Sequence, residues 1–262
     1  MSYDVVVSAG CSFMNGDAIL SKKDGLETFV GYQYRPGDML SKKLKCDYQH
    51  LAGSGKSNPR IIREVVAWVE SNQKTGHYEK PLIVIGLSEL SRYPFKSVIT
   101  GNYFDLQPGQ IDSYSDTSLS KLNLKVTGGL ESDETTKNWI KYYMKFLFDE
   151  HDEREKLKNQ LMMLHHYLKR NNCDYRIHNS LQDSLDDIKD KINFISFNDE
   201  DYKGGDSWRE FLMWQVNNID GEDYYNKEYR SPLPPYGKRF CNGHPSPNAN
   251  KELAQRIFED LK

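Results

Sequence analysis

Six residues spread along the chain carry most of its chemical capability. Ser12 stands in "AGCSF", Gly55 and Asn58 in "AGSGKSN", Ser88 and Arg92 in "GLSELSR", and His244 in "CNGHPSP". A hydroxyl becomes a nucleophile when a base takes its proton, and imidazole is the commonest base. A glycine turn offers backbone N–H groups to an oxyanion, and small polar side chains can add donors. Ser12, His244 and Gly55, with Ser88 or Asn58, are thus the parts of a serine ester hydrolase: nucleophile, general base and oxyanion donors. Arg92 supplies a cation for an anionic or sugar substrate. Each residue also has a plainer reading. Ser12 suits a turn, His244 a Pro-rich surface loop, and Gly55 a bare change of direction. Asn58 before Pro59 suits a helix N-cap with proline at the first helical position. Arg92 suits an ion pair with Glu89. Cys11, beside Ser12, reads as a small buried thiol.

One motif points elsewhere. G-S-G-K-S, Gly53 to Ser57, has the ending of an ATPase phosphate loop, G-x-x-x-x-G-K-[ST]. The first glycine of that pattern falls on His50, and Pro59 removes an N–H where the phosphate cradle needs donors. Strand three ends in Gly86, not in an aspartate that would hold magnesium. The stretch is therefore not expected to bind nucleotide.

The elements that must position these residues follow from the apolar pattern. "DVVV" ending at Gly10 reads as a buried strand, "DYQHLA" as a second, "PLIVIG" as the clearest third, "DYRIHN" as a fourth and "NFISF" as a fifth. Helices are expected over Gly37 to Lys45, over "PRIIREVVAWVE", over "SWREFLMWQV" and over "PNANKELAQRIFEDL". "NWIKYYMKFLF" and the Leu157, Leu161, Leu164, Leu168 series read as helix broken near Asp149–Glu153. Ser246 and Pro247 suit the cap and first turn of the last helix. The aromatic stripe Trp139, Tyr142, Tyr143 and Phe146 reads as core, as do Trp208 and Trp214, and "DEHDERE" as a solvated helix face. Strands alternating with helices predict a parallel sheet of about five strands with helices on both faces. The expected organisation is a single domain over residues 1–262, with a Ser-, Gly-, Asp- and Thr-rich insertion at about 91–136 carrying a hairpin near "LNLKV". In such sheets ligands bind at the carboxyl ends of the strands, where all six residues fall.

With 262 residues, 37% hydrophobic and 28% charged, the chain is long enough to bury a core. A net charge of -3 gives no electrostatic case for nucleic acid or an anionic membrane. No apolar run reaches the roughly 18 residues that span a bilayer. The start has no basic leader, so a cytoplasmic setting is expected. Cys11, Cys46, Cys173 and Cys241 include no C-x-x-C pair, so neither zinc nor a disulfide framework is expected.

The same blocks resemble the SGNH (GDSL-type) hydrolases. Gly10-Cys11-Ser12 stands for their G-D-S. Ala52, Gly55, Ser57 and Asn58 match the A-x-x-G-x-S-N of divergent members. Gly86-Leu87-Ser88-Glu89 stands for G-x-N-D, and His244-Pro245 for the block-five histidine. The order spans the whole chain, and the likeness is nearest to small members carried by tailed phages, which adds a host cytoplasm or a virion as settings. The resemblance implies a flavodoxin-like three-layer α/β/α sandwich. It implies a Ser12–His244 mechanism on a small acyl ester, including acetyl on a carbohydrate, with no metal or organic cofactor. Three positions depart from it. Cys11 replaces the first aspartate, Ser88 the asparagine, and Cys241 and Asn242 occupy the candidate places of the triad acid. A dyad with His244 oriented by Asn242 or a backbone carbonyl is one outcome; a non-catalytic binding or structural module is the other.

Overall fold

The computed structural model describes residues 2–23, 26–96, 103–106, 142–181, 185, 187–197, 201–202, 204–221, 238–241 and 243–262. Four strands form a parallel sheet: β1 (Val5–Gly10), β4 (Asp47–His50), β5 (Pro81–Leu87) and β8 (Asp174–Asn179), in the order β4-β1-β5-β8. All residues of β1 and β5 are buried. Both faces of these strands are covered, which is why they read as unbroken apolar runs rather than alternating ones.

The alternation lies in the partners. Val5, Val7 and Ala9 pack with Ile83 and Ile85 under α3 (Asn58–Thr75) and α4 (Glu150–Arg170), through Ile61, Val65, Leu161 and Leu164. Val6, Leu82 and Val84 face α2 (Pro36–Leu44), α5 (Trp208–Asn218) and α6 (Pro247–Asp260), through Leu40, Phe211 and Leu253. The result is the expected three layers. The chain leaves β1 by α2 to pair β4 on one side, then crosses by α3 to β5 on the other. The strand order therefore reverses beside β1, and the carboxyl ends of β1 and β5 are the switch point at which sheets of this kind bind ligands.

Several expectations are refined. The fifth strand is an edge segment: Ile177 N–H bonds to Asn193 O at 2.9 Å and Ile195 N–H to Ile177 O at 2.8 Å, around one bridge at Phe194. The helical break falls at Phe148–Asp149, where the Asp149 carboxylate caps α4 by accepting from Asp152 N–H at 2.9 Å. The aromatic stripe is not core as a whole. Tyr143 is buried, but Tyr142 and Phe146 are 53% and 61% exposed, just before and within the π-type turn Tyr143–Leu147. Trp139 lies outside the described residues. Trp208 is in the core, and Trp214 packs partly buried against it. Two antiparallel hairpins escaped the sequence pattern: β2 (Leu20–Lys23) with β3 (Leu26–Phe29), and β6 (Tyr93–Lys96) with β7 (Tyr103–Leu106). The second belongs to the stretch read as an insertion; the hairpin expected at "LNLKV" lies outside the described residues. Among the described residues, no helix is long and apolar enough to cross a membrane.

Candidate active site

Two glycines build the floor. A Cβ on Gly10 (φ +154°) would fall 2.6 Å from Met14 Cγ and 2.8 Å from Gly86 O. A Cβ on Gly86 would fall 2.5 Å from Met14 Cγ and 2.5 Å from Ser180 Oγ. Bare backbone at both strand ends leaves room for Met14, which is fully buried and roots the short helical turn α1 (Ser12–Asn15) against the sheet. Ser12 opens that turn, so its N–H has no acceptor within the helix. Its side chain is buried to 8% exposure at the strand end. Cys11 beside it is wholly buried, and burial pushes its thiol up, against the pull of the Arg92 charge. A protonated, enclosed thiol is the packing residue expected and not a nucleophile.

The Gly55 turn is laid along β1. Leu51 N–H bonds to Ser8 O at 2.8 Å and Gly53 N–H to Gly10 O at 3.0 Å, which carries the parallel pairing past the end of β4. A turn closes from Lys56 N–H to Gly53 O at 3.5 Å, with Gly55 at φ +73°. That left-handed angle favours glycine. Lys56 is folded back onto its own helix, where its ammonium pairs with the Glu64 carboxylate and donates to Leu51 O at 2.5 Å. A phosphate-loop lysine would instead face the ligand.

Ser57, not Asn58, is the N-cap residue of α3, and its side chain makes no cap bond. The capping reading of Asn58 is thereby corrected. Ser57 N–H and Oγ both donate to Asp105 Oδ1, at 3.0 and 2.5 Å, and Arg60 reaches Asp105 Oδ2 at 2.8 Å. Freed from capping, the Asn58 amide clamps the next strand end. Its Oδ1 accepts from Ser88 N–H at 2.6 Å and its Nδ2 donates to Ser88 O at 3.1 Å, all out of solvent. The Ser88 hydroxyl is itself buried, with no oxygen or nitrogen partner among the described residues and the Cys11 thiol as its neighbour. Arg92 pairs through Nε with Glu89 Oε2 at 3.2 Å, while its buried Nη1 has no partner among the described residues. Asn58, Leu90, Arg92, Tyr93, Glu153 and Lys156 border a cavity of about 300 Å³ beside this clamp.

His244 arrives on a small ribbon. β9 (Phe240–Cys241) pairs antiparallel with β10 (His244–Pro245), and Gly243 has φ +77°. Ser246 then caps α6, accepting from Ala249 N–H at 3.3 Å, as expected. The His244 ring stands 5.6 Å, centroid to centroid, from the ring of Phe13, the residue after Ser12. Cys241 faces His244 in register, but burial holds its thiol up at about 12 and Sγ contacts Pro245 O at 3.7 Å. It does not serve as a triad acid. Asn242 lies outside the described residues.

Sequence reasoning missed one cluster. Tyr48 and His50 alternate on β4 and so share a face, and "NGD" follows Ser12 in the next turn. His50 Nε2 meets Asn15 Oδ1 at 2.8 Å, and its Nδ1 meets the Tyr48 hydroxyl at 2.8 Å. Burial, then the Arg35 and Lys56 charges, lowers His50 to about 4, so the ring is neutral. Polar residues of like face at a strand's carboxyl end were the available signal.

No protein-family model matches this chain, and no curated protein matches it in sequence. Among solved structures it is similar to a G-D-S-L-family protein of Desulfitobacterium hafniense DCB-2, at 10% identity over 98% of this chain and 99% of that one, TM-score 0.43. It is similar to the esterase EstA of Pseudoalteromonas sp., at 10% identity over 98% and 96%, TM-score 0.43. The acetyl xylan esterase Est2A of Butyrivibrio proteoclasticus gives 12% identity over 100% of this chain and 64% of that one, TM-score 0.43. Likeness at this level leaves activity and substrate to the residues themselves.

Proposed function

We propose that the chain is an SGNH-type serine ester hydrolase for a small acyl ester, with acetyl on a carbohydrate as the first substrate to try. The carrying observation is the ring contact between Phe13 and His244, which brings a histidine far away in sequence beside the Ser12 turn. In this reading the His244 imidazole takes the Ser12 proton as Oγ bonds to the ester carbonyl carbon. The imidazolium then gives that proton to the leaving alkoxide as the C–O bond breaks, and water releases the acyl group by the same steps. The N–H groups of Ser12 and Gly55 hold the oxyanion. The Ser88 hydroxyl and the second N–H of the Asn58 amide, one being spent on Ser88 O, are further donors. The cavity beside Arg92 takes the rest of the ester.

A second reading, a non-catalytic SGNH-like binding module, is favoured by one observation: the residue facing His244 is a buried thiol and not a carboxylate. One experiment separates them. A fluorophosphonate should label the wild-type chain at Ser12, and Ser12→Ala should lose both labelling and p-nitrophenyl acetate hydrolysis while keeping its thermal midpoint. Wild-type protein that is folded yet neither labelled nor active would leave the binding module as the better account.

A further inference from the structure

The polar cluster under the site forms one directed chain. Asn15 Nδ2 donates to Asp17 Oδ1 at 2.6 Å, which fixes the amide with its oxygen toward His50. That oxygen accepts from His50 Nε2 at 2.8 Å and Arg35 Nη2 at 3.2 Å, so the ring proton sits on Nε2. His50 Nδ1 then accepts from the Tyr48 hydroxyl at 2.8 Å, and Tyr48 from Ser8 Oγ at 2.9 Å. Each donor feeds the next acceptor, and the chain ends on the Asp17 carboxylate. Asp17 also receives Ser54 Oγ on Oδ2 at 2.5 Å, and its own N–H bonds to Ser12 O at 3.3 Å. Asp17 therefore grips both the residue that carries the hydroxyl and the residue before Gly55.

We propose that Asp17 is a positioning residue that sets the Ser12 turn against the Gly55 turn, with Ser54 as its partner. This rests on the catalytic reading above. It touches neither substrate nor the reacting atoms. Its effect is geometric: a shift of about 1 Å between a nucleophile and its surroundings can cost about 100-fold in rate.

The test measures kcat per active site, with sites counted by fluorophosphonate titration, in wild type, Asp17→Ala, Asp17→Asn, Ser54→Ala and the Asp17→Ala/Ser54→Ala double variant. Asp17→Ala is expected to lower kcat per titrated site about 10- to 100-fold with KM changed little, and Asp17→Asn, which keeps one acceptor oxygen, to recover part of it. The double variant should be no slower than Asp17→Ala, because the two residues act as one link. A merely structural role would reduce the titratable fraction or the thermal midpoint and leave kcat per site unchanged; that result overturns the proposal while sparing the esterase reading. Should Asp17→Ala fail to fold, Ser54→Ala, whose residue is exposed, decides in its place: unchanged kcat per site refutes the link. A wild type that is not labelled at Ser12 overturns the catalytic reading, and the role of Asp17 with it.

Discussion

Replacing Asn58 should be costly, and in a way that depends on pH. Its amide holds the N–H and the C=O of one buried residue, Ser88, at 2.6 and 3.1 Å. Asn58→Ala orphans both groups. An orphaned buried donor or acceptor costs about 1–3 kcal/mol, and the neighbouring cavity admits water that softens this, so a loss of about 2–3 kcal/mol is expected. For a chain of this size that is a fall of about 4–12 °C in thermal midpoint. Asn58→Asp is the sharper perturbation. One carboxylate oxygen still accepts from Ser88 N–H, but the other faces Ser88 O, where only a donor fits. The ionised form is disfavoured, so the folded carboxyl rises above its unfolded value of about 3.9. Below that pH both states are protonated, the acid donates to Ser88 O, and the penalty is small. As pH rises toward the folded pKa the penalty grows, then levels off. Urea denaturation of wild type and both variants at pH 4.5 and pH 8 checks this. Asn58→Asp should lie nearer wild type at the lower pH, with the urea slope unchanged. A loss below about 0.5 kcal/mol in Asn58→Ala, the usual size of surface changes, or an Asn58→Asp penalty indifferent to pH, would refute the clamp.

Three further outcomes follow from the geometry. Gly10→Ala should destabilise more than Gly86→Ala, because the first adds a positive φ and a backbone clash to the Met14 contact while the second meets only side chains; overpacking alone costs about 1–3 kcal/mol, and equal urea midpoints would contradict this. His50 and His178 are held at about 4 and about 3, chiefly by burial, so the unfolded chain binds protons near pH 6.5 that the folded chain refuses. Stability from this source is full above pH 6.5 and falls as pH drops toward 4; the urea midpoint should be lower at pH 5 than at pH 7, and His50→Gln should flatten the difference, an unaltered slope speaking against it. Finally, isothermal titration with ATP should give no heat of binding, since Lys56 is spent on Glu64 and Leu51 O; micromolar binding abolished by Lys56→Ala would show that the lysine swings outward.

The layers were legible because their signals are local. "VVV" and "LIVIG" are apolar without alternation, which only a doubly covered strand permits, and the Ile61–Val65–Val69 spacing put α3 on one face. The capping of α3 was misread because Asn-Pro is a good cap signal on its own, while the competing partner of Asn58 lay thirty residues away on Ser88. The Tyr142 and Phe146 side chains were misassigned because helical spacing says which residues share a face, not that anything covers that face. The His244 ribbon was legible in principle. Asn-Gly is a strong signal for a two-residue hairpin turn, and "FCNGHP" contains it. The cluster around His50 was harder to see: the shared face of Tyr48 and His50 was its one signal, and its other members come from separate stretches with no motif of their own.

Asp105 changes what can be removed from this molecule. It comes from β7, in a stretch that reads as an accessory, yet its side chain is only 4% exposed and is held by Arg60 and by Ser57 at the head of α3. Loops are ordinarily the part of a fold that can be trimmed, swapped or lengthened at little thermodynamic cost. Here the excursion returns a carboxylate to the N–H of the cap residue Ser57, a donor that a capping box would satisfy with Glu or Gln at the third helical position, where this chain has Arg60. The ground plan has outsourced a structural duty to its ornament. Grafting a short linker between Arg92 and the chain beyond Leu106 would therefore remove a keystone as well as a loop, and a minimal version of this fold would have to supply a replacement acid, such as Glu at position 60 reaching back to the Ser57 N–H.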